Sequence, residues 1–182
     1  MAQICAQALS VPLSAIYTQD TSTHQIPNAS PTAASSGSDL NGMAILDACT
    51  QLNTRLAPFR AQFGASAPIK TLAHAAYLAR VNLAATGFWK MPRIGYVWGE
   101  YDTERVKPMY YYFTQGVACS EIELDVLTGS HTVLRTDIKM DIGRSINPGI
   151  DYGQIEGAFI QGLGLFTMEE TLWLSTMGQL AE

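Results

Sequence analysis

Glu121, Glu123 and Asp125 stand at alternate positions, and Asp137 and Asp141 follow on a second apolar run. Carboxylates so placed could serve general acid–base or metal chemistry. Their period of two, opposite Ile122, Leu124, Val126, Ile138, Met140 and Ile142, instead predicts the solvent face of a one-sided sheet. His24, His74 and His131 are scattered, and His74 falls within a helical pattern, so no base or ligand role is read for them. Cys5, Cys49 and Cys119 are odd in number, far apart and set among apolar residues, which predicts buried thiols rather than disulfides or a zinc site.

The segment from Gly153 to Phe166 carries a different kind of chemistry. It contains Gly153, Gly157, Gly162 and Gly164, while Ile155, Ala158, Phe159, Leu163 and Phe166 keep helical spacing. Four glycines in one helix cost about 2 to 4 kcal/mol relative to alanine. The spacing therefore predicts that another backbone or a flat ligand approaches the groove at Gly153 and Gly157. Gln154 and Gln161 add amide donors and acceptors suited to a polar heterocycle. A second small-residue run, Asn28 to Asp39, leads into a helix with Ile45, Cys49, Leu52, Leu56, Phe59 and Phe63 on one face and Ser38 or Asp39 as its N-cap. Composition leaves open whether this run is a linker or a ligand loop at a helix N-terminus, where N–H groups favour an anion.

The elements that position these residues alternate. Met1 to Leu9 reads as a helix ended by Pro12, Ala15 to Thr18 as a short strand, and Pro68 opens a helix with Ile69, Leu72, Ala73, Ala76, Tyr77 and Val81 on one face. Strand patterns follow at Gly95–Tyr101 and Met109–Ser120, with Tyr110, Tyr111, Tyr112 and Phe113 as core packing at a strand start. Glu121–Val126, the turn Leu127–Ser130 and Thr132–Ile142 read as a hairpin, and Gly143–Gly149 turns into the glycine-rich helix. The fold class is α+β, mixed helices with a sheet containing a β-hairpin. The 182 residues, 47% hydrophobic and 15% charged, suffice for one domain or part of one. A net charge of −5 without any basic cluster argues against a nucleic-acid partner. No apolar run reaches the roughly 18 residues of a membrane span, and no signal-peptide layout opens the chain, so a cytoplasmic location is expected, with the peroxisome as the alternative.

At several long motifs in order, the chain resembles the xanthine dehydrogenase and aldehyde oxidase family of molybdenum hydroxylases, its dehydrogenase branch above all. The motifs are Gly116–Glu121, Leu134–Asp137, Asn147-Pro148, Gly153–Ala158 and Ser30-Pro31-Thr32-Ala33-Ala34-Ser35 before the Asp39 helix. The resemblance implies that residues 1–182 are part of a molybdopterin-binding domain, truncated at both ends. It also implies that Ala34 lies next to molybdenum without ligating it, that Thr32 and Ser35 belong to the pterin-binding loop, and that Gln154 hydrogen-bonds the pterin. Gly37 stands where some members carry Ser, so that hydrogen bond is lost or falls to Ser36 or Ser38. The parent implied is a purine-hydroxylating homodimer with molybdopterin (the molybdenum cofactor), 2Fe-2S clusters, FAD and NAD. The family's catalytic glutamate is expected beyond these residues, so the chain alone is expected to be inactive. The alternatives are a fragment of an aldehyde oxidase and a non-enzymatic pterin-binding module.

Overall fold

The computed structural model describes residues 1–19, 21–26, 31–92 and 110–173. Ser30 and the strand expected at Gly95–Tyr101 lie outside them. The described elements are α1 (Ala2–Leu9), a 3-10 turn (Leu13–Ala15), α2 (Gly37–Phe63), α3 (Ile69–Leu78), β1 (Gln115–Leu124), β2 (His131–Asp141) and α4 (Pro148–Thr167). The class is α+β, as expected. Two compact units divide the chain, Met1–Met109 and Tyr110–Glu182.

In the first unit α1 and α3 pack on the long α2. Pro12 fixes the break after α1, whose C-cap Ser10 takes the left-handed conformation at φ 57° and lets the Val11 N–H reach Ala6 O at 2.9 Å. The carbonyls at that end are also met from α2, by Asn53 Nδ2 on Ala8 O at 2.9 Å and by Arg60 on Leu9 O at 3.3 Å. Gly42 is buried where α1 crosses, and a Cβ there would lie 3.0 Å from Ile4 Cδ1. Leu56, Leu72 and Ala76 form the core, with Phe59, Ala67, Ile69, Val81 and Leu83 against it. The apolar face expected of α3 is confirmed at Leu72 and Ala76, but Tyr77 is exposed and the helix ends before Val81. The strand expected at Ala15–Thr18 is not formed. Its first residue belongs to the 3-10 turn, and no strand is described in this unit for the following residues to pair with.

After α3 an extended segment returns along α2. Side chains one turn apart on α2 hold it: Asp47 Oδ2 accepts from the Phe88 N–H at 3.1 Å, Gln51 donates to Thr86 O at 3.1 Å, and Arg55 donates to Asn82 O and Ala84 O at 3.1 and 2.7 Å. Gly87 is obligatory, since a Cβ there would overlap the Ala44 carbonyl of α2.

In the second unit β1 and β2 form an antiparallel ribbon, Gln115 opposite Asp141 and Leu124 opposite His131, with an irregularity between Glu121 and Ile122. The turn is built on Asp125, whose carboxylate accepts from the Leu127 N–H at 2.9 Å and the Thr128 hydroxyl at 2.7 Å. Gly129 provides the left-handed residue at φ 79°. Tyr110 to Phe113 do not join the strand and are exposed, against the expectation of core packing. The ladder stops at Gln115 because β2 ends at Asp141. Asn147 caps α4, accepting from the Gly149 N–H at 3.1 Å, and Pro148 supplies the preset φ of a first helical residue.

Candidate functional site

Three of the five carboxylates of the ribbon, Asp125, Asp137 and Asp141, have structural partners. Asp125 builds the turn, and the Thr128 hydroxyl, followed by the Leu127 N–H, holds its carboxyl below the ordinary carboxylate range. Asp137 pairs with Arg135 at 2.7 Å, and Asp141 accepts from the Gly143 N–H at 2.9 Å. All are solvent-exposed, as their alternation predicts, and among the described residues no group of three His, Cys, Asp or Glu could hold a metal ion. The apolar residues Ile122, Leu124 and Met140 are exposed as well. His24 contacts the Ser22 hydroxyl in an exposed turn.

The cysteines differ from expectation in two ways. Cys119 is exposed on β1, whose residues are exposed on both faces, and is no core residue. Cys5 and Cys49 are brought together by the α1–α2 crossing, with their sulfurs 3.9 Å apart. Burial first, then the neighbouring Cys5, pushes the Cys49 thiol up to about 11. A thiol held protonated is a poor nucleophile.

The loop before α2 departs from ordinary backbone. The Ser36 N–H donates to Ala33 O at 3.1 Å, closing a four-residue turn whose central residues Ala34 and Ser35 have φ of 50° and 54°. Positive φ at both central positions is the hand of a type I′ turn, a conformation that Gly, Asn and Asp normally occupy. Alanine and serine there cost on the order of 1 kcal/mol each or more. Strain kept at two consecutive residues marks a place where backbone shape matters more than stability. Thr32 lies beside the first residue of α2, its Cγ2 and Oγ1 3.6 and 3.7 Å from where a Gly37 Cβ would stand. Neither Ser38 nor Asp39 is the N-cap. Both lie inside the helix, which begins at Gly37 after Ser36, and Ser36 forms no side-chain cap bond to the first-turn N–H groups. The structure thus brings Thr32, Ala34 and Ser35 together at the N-terminus of α2.

Gln154 lies on α4 in the second unit, solvent-exposed. A Cβ added at Gly153, Gly157 or Gly162 would meet no atom within 4 Å, so the close partner expected at the glycine face is not supplied by the described residues. Only Gly164 is approached, by the Glu169 side chain. An open glycine groove bearing an exposed amide, and a small-residue turn at a helix N-terminus, are features that a flat, phosphate-bearing group can use. Sequence reasoning named Ser36 only as a possible substitute for a hydrogen bond lost at Gly37 and missed its place at the turn and the helix start. Its signal was present only as a serine two residues before the expected cap.

Comparisons with known proteins bear on the chain as a whole. A family model for the molybdopterin cofactor-binding domain matches residues 1–182. The chain is 68% identical over 183 residues to a nicotinate hydroxylase of Emericella nidulans, covering 100% of this chain and 13% of that protein. It is 58% identical over 180 residues to a xanthine dehydrogenase of the same organism, covering 99% and 13%. To the xanthine dehydrogenase/oxidase of Felis catus it is 52% identical over 170 residues, covering 93% and 12%. The chain therefore spans about an eighth of the length of these relatives.

Proposed function

The chain belongs to the molybdopterin cofactor-binding domain family, and from that premise we propose that it supplies residues to the molybdenum-cofactor site in a larger hydroxylase of nitrogen heteroaromatic rings. The observation that carries this is the strained Ala34-Ser35 turn at the start of α2, backed by the open face of α4. Thr32, Ala34 and Ser35 would contact the cofactor, with Ala34 small enough to leave room for molybdenum. Gln154 would hydrogen-bond the pterin, and Gly153 and Gly157 would admit it close to the backbone. When bound, the group would supply the chemistry of carbon hydroxylation with oxygen from water, the electrons going in the whole enzyme through 2Fe-2S clusters and FAD to NAD. The residues of this chain bind and orient; none of them is assigned a proton transfer. The substrate proposed is a purine, xanthine or hypoxanthine, and the enzyme a cytoplasmic homodimer. A pyridine carboxylic acid is a second reading, favoured by the 68% identity to a nicotinate hydroxylase.

The test uses the full-length protein that contains this chain. Molybdenum per polypeptide and turnover of xanthine, hypoxanthine, nicotinate and an aromatic aldehyde are measured for wild type, Gln154→Ala, Gly157→Val and Glu123→Gln. Gln154→Ala leaves polar cofactor atoms unpaired, at about 1 to 3 kcal/mol, and lowers molybdenum content or turnover. Gly157→Val fills the groove and is more damaging. Glu123→Gln changes stability by less than about 0.5 kcal/mol and leaves activity intact. Loss of activity in Glu123→Gln with a silent Gln154→Ala would overturn the assignment. Turnover of the aldehyde alone would replace the substrate reading with the aldehyde-oxidising one.

A further inference from the structure

We infer that Ser36 is a positioning residue for the cofactor loop, its hydroxyl clamping the Ala34-Ser35 turn in the shape that meets the molybdenum cofactor; this rests on the loop reading proposed above. Ser36 Oγ donates to Ala33 O at 2.8 Å, and the Ser36 N–H donates to the same carbonyl at 3.1 Å. Two donors of one residue thus close the turn, while the Ser36 carbonyl accepts from the Leu40 N–H at 3.0 Å and starts α2. The turn is thereby fastened to a 27-residue helix.

The alternative use of this hydroxyl makes the choice informative. A serine at the N-cap ordinarily accepts a hydrogen bond from the second or third N–H of its helix, which stabilises the helix. Ser36 does not, and its hydroxyl points back to Ala33. Two consequences follow from the one rotamer. The turn, disfavoured for Ala34 and Ser35, gains a second bond across its ends. The cap side chain also stays off the first-turn N–H groups, the part of a helix that attracts phosphate. Without the hydroxyl the backbone bond remains, but the two left-handed residues can relax toward negative φ and carry Ala34 away from its place. Cofactor retention is then the property that suffers, ahead of folding.

The experiment compares Ser36→Ala, Ser36→Thr and Ala34→Val in the full-length holoenzyme. The readouts are molybdenum and pterin retained per polypeptide through a timed dialysis, turnover per retained molybdenum, and thermal unfolding of the cofactor-free form. Ser36→Ala is expected to lose the cofactor about 3- to 10-fold faster, the range for one lost hydrogen bond. Ser36→Thr, which keeps the hydroxyl, restores retention, and the cofactor-free melting temperature moves by no more than about 2 °C. Wild-type retention in Ser36→Ala, with cofactor loss in Ala34→Val, overturns the clamp and leaves the loop reading intact. Failure of Ser36→Thr to restore retention also overturns it, as does a melting temperature that falls in step with cofactor loss. If Ala34→Val retains the cofactor too, the loop reading itself fails and the clamp with it.

Discussion

At the scale of single residues, the thiols offer a direct measurement. The Cys49 thiol is raised from 9.0 to about 11 in the folded chain, so folding favours its protonated form. Below pH 9 this preference costs nothing, because the thiol is protonated in both states. Between pH 9 and 11 only the unfolded chain ionises, so stability falls across that window and levels off above it. Denaturant unfolding at pH 8, 9, 10 and 11 should show a steeper loss in wild type than in Cys49→Ala, and parallel curves would contradict the assignment. Thiol-specific labelling should consume exposed Cys119 first and Cys49 last. That order was not legible from composition, because all three cysteines have apolar neighbours in sequence. Which thiol is covered depends on what packs over each element. The turn that Ser36 closes was hidden for a related reason: the usual sequence sign of a type I′ turn is Asn-Gly, and this one is built from Ala34 and Ser35.

At the scale of elements, two glycines make opposite predictions. Gly87 lies where its segment touches α2, and Gly87→Ala forces a Cβ into the Ala44 carbonyl. A cost of about 1 to 3 kcal/mol is expected, a fall in melting temperature of roughly 2 to 4 °C per kcal/mol. Gly153 is a helical glycine facing open space, so Gly153→Ala should raise the stability of the cofactor-free chain by about 0.5 to 1 kcal/mol. If the α4 groove takes the cofactor, the same change should lower molybdenum retention in the full-length protein. Thermal unfolding and metal analysis of the two variants check both signs, and a Gly153→Ala that improves retention would count against the groove. The helices and hairpin were legible because their periods are long and clean and their punctuation is strong, with Pro12 after α1, Pro68 before α3, Thr128-Gly129 in the turn and Asn147-Pro148 before α4. The start of α2 was misplaced because Ser36, Ser38 and Asp39 are all good caps. The glycine face of α4 was legible as a face needing a partner, but a helix alone does not say which partner.

At the scale of the whole molecule, apolar surface is distributed unevenly. Among the described residues, all five buried hydrophobic ones, Ala6, Cys49, Leu56, Leu72 and Ala76, belong to the first unit. In the second unit Gly164 is the only buried residue among those described, while Leu127 is 92% and Phe166 86% exposed. Val126, Val117 and Ile160 are also open to solvent. Surface of this kind marks contact sites or a liability to associate. No described helix is long and apolar enough to cross a membrane, so a lipid-spanning helix among these residues does not account for it. The 182-residue chain on its own is therefore expected to bind a hydrophobic dye strongly and to self-associate at micromolar concentration. It should also show no turnover of xanthine, hypoxanthine or nicotinate even with added molybdenum cofactor, since the residues assigned here only bind and orient. Size-exclusion with light scattering, dye fluorescence and a turnover assay make the test. A monomer that melts sharply and binds no dye would show that the ribbon and α4 are stable bare, and measurable turnover would place a catalytic group within these 182 residues.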